Sequence, residues 1–386
     1  MGMKFRFLRN AWLFLALLGF TACSSSNSST ASSGSGLLYL ATQGNTTLTS
    51  YSVGLSSGSL SGINTAGTGS APAAIAIVPG GTALFVANSA SNSVSSYQVN
   101  SDGSLTAVSG TIATGTTPMG LAIDPAGKFL FVANQGSGDI SVFSISGTSL
   151  TAVGSPVLSD PNSTVPTGPV ALAIPPAGGY LYVANQFTNT VSAFSFDSSG
   201  ALTAVPNSPY AVGTAPSALD VPQGGQFLLV ANAGSNNISS FAICVVASAT
   251  CSTPNGIMTE VANSPFAAGI GPVAIAADPG FDYVYVVDKT SNQISEYSFS
   301  TGTGALTLLS NPTISTGTTP VAIIIFAGAT GTNVGNPTND PTDYVYVANS
   351  GGSSLSAFTL TTSSGLLNIL GQAVTTAGQP AALSGL

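Results

Sequence analysis

The sequence predicts an all-β fold, a seven-bladed β-propeller with four antiparallel strands per blade, and three observations predict it. One short phrase returns seven times: YLAT at Tyr39–Thr42, FVAN at Phe85–Asn88 and Phe131–Asn134, YVAN at Tyr182–Asn185, LVAN at Leu229–Asn232, YVVD at Tyr285–Asp288 and YVAN at Tyr346–Asn349. Successive copies begin 46 to 61 residues apart, the period of a propeller blade. Between the copies, short apolar runs alternate with turn residues, supplied by 45 Gly and 23 Pro. Finally, the two ends are complementary. The first repeat starts in its second strand, at Gly36–Thr42, and the chain closes on Gly378–Leu383, which matches the inner-strand segment Gly115–Leu121. The last residues are therefore expected to supply the first blade's missing inner strand, leaving no open sheet edge.

The amino-terminal segment is a separate object. Lys4, Arg6 and Arg9 precede the short apolar run Ala11–Phe20, then Thr21 and Ala22 lead to Cys23 and a serine-rich stretch. This order reads as a bacterial lipoprotein signal over residues 1–22. Cys23 is the expected lipidated residue, residues 23–36 a tether, and residues 37–386 the propeller. The expected location is the bacterial cell envelope, with the membrane as a partner through the lipid on Cys23.

One full repeat runs from Pro118 to Gly154, with strand-like segments at Met119–Ile123, Phe129–Ala133, Ile140–Ile145 and Leu150–Val153. Asp124-Pro125-Ala126-Gly127 carries the residues of a type I turn between the first two. Phe129, Leu130, Phe131 and Val132 are apolar in succession, as a strand covered on both faces requires. Ser101-Asp102-Gly103-Ser104 marks the hairpin between a third and a fourth strand. In the fifth unit an insertion carries Cys244 and Cys251, expected to form a local disulfide in an exported chain.

Composition narrows the function. Charged residues make up 5% of the chain against roughly 25% in an average domain. Beyond residue 22 only Lys128 and Lys289 stand against 13 acids, a surface that repels nucleic acid. The chain has no His, so no metal site or serine triad of the usual form is expected, and no motif calls for a cofactor.

The V-A-N phrase, the S-N-x-V/I-S-x-Y/F stretches (Ser91–Tyr97, Ser235–Phe241, Ser291–Tyr297), the G-x-L-T-x-V runs and the G-T-x-P segments resemble the YVTN-type repeat. Over residues 37–386 the chain resembles the lactonase-like seven-bladed β-propeller family, of which 6-phosphogluconolactonase is the named enzyme. The resemblance implies lactone hydrolysis by His, Arg and acidic residues in a cleft. With no His and no Arg beyond residue 22, none of those basic positions is carried over.

The loops from second to third strand and from fourth strand to the next blade share one face, where the functional cleft of such a fold is expected. Asn88, Asn134, Asn185, Asn232 and Asn349 recur there, either as a ring of ligand-binding amides or as caps of their own turns. Phe187 is a candidate for stacking on a sugar. Asp288 and Lys289 form the single Asp-Lys step, either a general base with an oxygen-binding cation or a surface pair. Three readings follow: a non-catalytic envelope module that binds a glycan or another envelope protein, a lactone hydrolase with a divergent site, and a purely structural disc.

Overall fold

The computed structural model describes residues 35–222, 224–247, 251–280, 282–327 and 342–386. The signal segment, Cys23 and the tether up to residue 34 lie outside them. The described residues form seven antiparallel sheets and no helix. Blade 2 shows the plan: Pro72–Ile77, Ala83–Asn88, Ser93–Val99 and Leu105–Ala113 pair in sequence order from the axis outward. In blades 3, 4, 5 and 7 the outermost strand is split into two short pieces that both pair with the third strand. A split rim offers little continuous edge for another chain to pair with.

The ring closes as the termini of the repeat pattern anticipate. Blade 1 consists of Ser35–Gln43, Thr47–Gly54 and Leu60–Gly67, with Gln379–Gly385 as its inner strand. Leu38 stands opposite Gly385 and Leu40 opposite Leu383, and the Leu37 and Leu386 backbones exchange two hydrogen bonds.

Every inner strand carries a buried proline at its first residue or, in blade 1, its second: Pro72, Pro118, Pro169, Pro216, Pro272, Pro320 and Pro380. Proline fits because the first residue of a strand can spare its ladder donor. A register shift follows it in each blade, as between Pro72 and Ala74. The second strand lies between neighbours on both faces, and all six residues of Ala83–Asn88 are buried. Seven apolar clusters result, one at each seam between adjacent blades. Each fully buried Leu, Ile, Val or Phe in them contributes about 1.5–3 kcal/mol against leaving it in water.

Candidate functional site

The recurrent asparagines sit at the end of the second strand and are fully buried. Each donates its Nδ2–H to a serine of its own blade. Asn88 Nδ2 donates to Ser95 Oγ at 2.9 Å, and its Oδ1 accepts the Gly69 N–H at 3.0 Å. Asn134, Asn185, Asn232 and Asn349 donate in the same way to Ser141, Ser192, Ser239 and Ser356 at 2.8–3.0 Å. The serine of the repeat thus exists to receive the asparagine seven residues before it. The glycine of the incoming loop belongs to the same cradle, since a Cβ on Gly69 would fall 2.7 Å from Asn88 Cγ.

Asp288 takes the asparagine's place in blade 6. It is fully buried, and its Oδ2 accepts the Ser295 hydroxyl at 2.6 Å. Burial pushes its carboxyl up to about 6, with bonds from Ser295, Gln293 and Gly269 opposing the rise. Lys289 beside it is exposed. Phe187 is 55% exposed, with its ring over Gly168 and its N–H donating to the Thr167 carbonyl. Cys244 and Cys251 form the disulfide in the blade 5 insertion.

A second set of asparagines, not singled out from sequence, ties four blades to the next on this face. Asn92, Asn189, Asn236 and Asn292 have positive φ, and their Oδ1 atoms accept the N–H of Thr117, Ala215, Gly271 and Thr319 at 2.7–2.8 Å. Asparagine tolerates the left-handed backbone and supplies an acceptor, so it meets both demands. The S-N step within the repeat is the signal that points to three of the four.

The central cavity opens elsewhere, on the side of the turns that join inner to second strands. It measures about 450 Å³ and is walled by Ile75, Ile77, Leu121, Ile123, Leu172 and Ile174 and their neighbours. Among the described residues of its lining, Asp220 and Ser384 are the only polar side chains and none is basic. Both sit at one level of the inner strands. That level is Ala76, Ala122, Ala173 and Ala276 in blades 2, 3, 4 and 6, each opposite a Phe or Tyr of the second strand. In blade 5 it is Asp220 opposite Leu229, and in blade 1 it is Ser384 opposite Tyr39.

Asp220 is held firmly. Its Oδ1 accepts the Val221 N–H at 2.9 Å, and its Oδ2 accepts the Ala277 N–H of blade 6 at 2.6 Å. Burial among apolar walls nonetheless raises its carboxyl to about 6, outweighing these two bonds. A carboxyl so poised is ionised near neutral pH while remaining a useful base. Asp220 lies outside the repeated phrase; its signal is an acid where four other blades keep alanine. The cavity and the Asn-capped face lie at opposite ends of the inner strands, so Asp288 and Asp220 are not brought together.

Comparison with known proteins agrees with this architecture. The family model described as lactonase, 7-bladed beta-propeller matches residues 32–165 and 149–249, together more than half of the chain. No curated protein sequence matches it. A candidate 6-phosphogluconolactonase from Bacteroides fragilis is similar in structure, with TM-score 0.75 and 20% identity over 92% of this chain and 98% of that one. The periplasmic gluconolactonase of Pseudomonas aeruginosa gives TM-score 0.75 and 20% identity over 91% of this chain and 99% of that one. At these identities the likeness concerns the fold. With the family model spanning the repeats and the seven closed blades in place, the chain belongs to the seven-bladed β-propeller lactonase family.

Proposed function

We propose that the chain is a lactone hydrolase acting on an uncharged lactone in the central cavity, with Asp220 as the base that activates water. Asp220 is the single carboxyl among the described residues of that apolar cavity, and this observation carries the reading. Family membership supports the reaction class, and two structural relatives bear gluconolactonase names. The wall chemistry selects the substrate. A phosphorylated lactone would bring a dianion to a cavity whose described lining has no basic side chain, whereas a neutral ring with an apolar substituent loses little on leaving water.

In the reaction, Asp220 takes a proton from water as its oxygen bonds to the lactone carbonyl carbon. The tetrahedral oxyanion then collapses, the ring C–O bond breaks, and the leaving alkoxide receives that proton to give the hydroxy acid. Ser384 is the hydroxyl available in the lining to donate to the developing oxyanion. Asp288 stays with the blade 6 cradle, where it is buried beneath its own loop.

The test is hydrolysis of three lactones by the purified protein: phosphorylated gluconolactone, plain gluconolactone and an alkyl-substituted γ-lactone. Turnover of a neutral lactone, lost in Asp220→Asn with the fold intact, is the expected result. An Asp220→Asn protein that hydrolyses as fast as wild type would end the proposal.

One observation favours a second reading, the non-catalytic binding module. Phe187 stands exposed on the Asn-capped face, where recognition of a glycan or envelope protein would fall to it and the loop hydroxyls. Loss of glycan or envelope-protein capture in Phe187→Ala would support that role. The proposal for location is a lipid anchor at Cys23 in the bacterial envelope, supported by the basic, apolar and small-residue order before it. Mass spectrometry of the exported protein should show acylation that Cys23→Ala removes.

A further inference from the structure

The seam between blades 6 and 7 gathers three buried acids among the described residues: Asp278, Glu296 and Asp343. Glu296 lies in the third strand Gln293–Phe299 of blade 6, directly opposite Tyr285 on the same sheet face. It is 1% exposed, and its Oε2 accepts the Leu367 N–H of blade 7 at 3.3 Å. The same position holds Ser50, Ser96, Val142, Ala193, Ser240 and Ala357 in the other blades. Asp278, in the turn before the second strand of blade 6, is also 1% exposed. Its Oδ1 accepts the Gly280 N–H, while its Oδ2 has no hydrogen-bond partner. From blade 7, Asp343 is buried as well, and its charge acts on both Asp278 and Tyr285.

The titratable groups at this seam are therefore Asp278, Tyr283, Tyr285 and Glu296 from blade 6 and Asp343 from blade 7. Every one of them is neutral or negative. The described residues hold two basic side chains, both exposed: Lys128 in blade 3, and Lys289 at the far end of the blade 6 second strand. Buried carboxylates ordinarily keep a cationic partner, because an unpaired buried charge is expensive.

We propose that this seam is a pH-sensitive latch, closed while Asp278 and Glu296 carry protons and loosened as they ionise beside Asp343, so that the propeller is suited to an acidic surrounding. Burial, with Asp343 adding to it, lifts Asp278 to about 6, and burial lifts Glu296 to about 7 against the Leu367 bond. Both groups hold their protons more tightly in the fold than in the open chain. Their contribution to stability is therefore full below about pH 4, falls as pH rises through about 6–7, and is gone above. Asp220 and Asp288, also raised to about 6, act in the same direction at other places. Asp102 and Asp197, lowered by bonds from Ser104 and Ser199, act oppositely and only in stronger acid.

Thermal melts of the whole protein across about pH 4–8 test the latch, together with amide exchange corrected for its intrinsic pH dependence. The melting temperature should fall by several degrees from acid to alkali. Peptides from Tyr283–Phe299 and Thr342–Thr361 should lose protection before those of the blade 4–5 seam. Glu296→Gln, which keeps the shape and removes the charge, should flatten the profile by raising the alkaline end. Asp278→Asn is the second variant, and Asp102→Asn should leave the profile alone. Unchanged pH profiles in both seam variants, or uniform loss of protection around the ring, would overturn the proposal.

Discussion

The seam between blades 4 and 5 and the seam between blades 6 and 7 share a backbone plan and differ in the acids they bury. In the first, Tyr182 donates to the Gly256 carbonyl of the next blade at 3.1 Å; in the second, Tyr285 donates to the Gly365 carbonyl at 2.7 Å. Both glycines have positive φ, and a Cβ on either would run into the ring of Tyr180 or Tyr283 at 2.2–2.4 Å. Opposite the tyrosine, however, one seam has Ala193 and the other Glu296. The seam with alanine is apolar around its tyrosine and has no reason to respond to pH. The comparison teaches that the repeat determines how blades dock, while departures from it, in the latch proposed above, determine when they stay docked.

The largest expected effect comes from the one seam closed within a blade. Deleting Pro380–Leu386 strips blade 1 of its inner strand and exposes the ladder edge of Ser35–Gln43. Loss of the cooperative unfolding transition, followed by calorimetry, is the expected outcome. Transplanting the acid is next: Ala193→Glu should destabilise the blade 4–5 seam by about 3–5 kcal/mol at neutral pH, the cost of an uncompensated buried charge. Its cost should shrink in acid, as denaturant titrations at two pH values would reveal. Removing the acid reverses the sign, with Glu296→Gln gaining about 2–3 kcal/mol at alkaline pH from the relieved shift of Glu296 to about 7. Tyr182→Phe and Tyr285→Phe each delete one cross-seam bond and should cost about 0.5–1.5 kcal/mol. If only the blade 6–7 variant alters the pH profile, the two seams differ as described. The pH dependence of the proposed lactone hydrolysis is separable from these effects, because in that proposal Asp220 acts as a base only when ionised. Its rate should therefore rise with pH through about 6 while the fold loses stability.

How much of this was legible in the sequence follows from what repeats. The seven phrases, the turn residues and the matching ends announce blade number and ring closure because every blade obeys the same packing demand. The asparagines were legible as turn residues, and their bonds to Ser95, Ser141, Ser192, Ser239 and Ser356 explain why a serine travels with them. Asp220 and Glu296 were not legible, since each is a single departure whose meaning depends on which neighbour it faces. Asp220 is notable only once inner strands are aligned on Ala76, Ala122, Ala173 and Ala276. The side of the ring that carries the cavity also required coordinates.

Pairing Leu38 with Gly385 has a kinetic consequence. It joins residues almost the whole chain apart, so this contact carries a high loop-closure cost and forms late. Substitutions in the closing strand should therefore leave the rate of folding nearly unchanged and act on the rate of opening. The lifetime of the intact ring would then be governed by its last-formed strand.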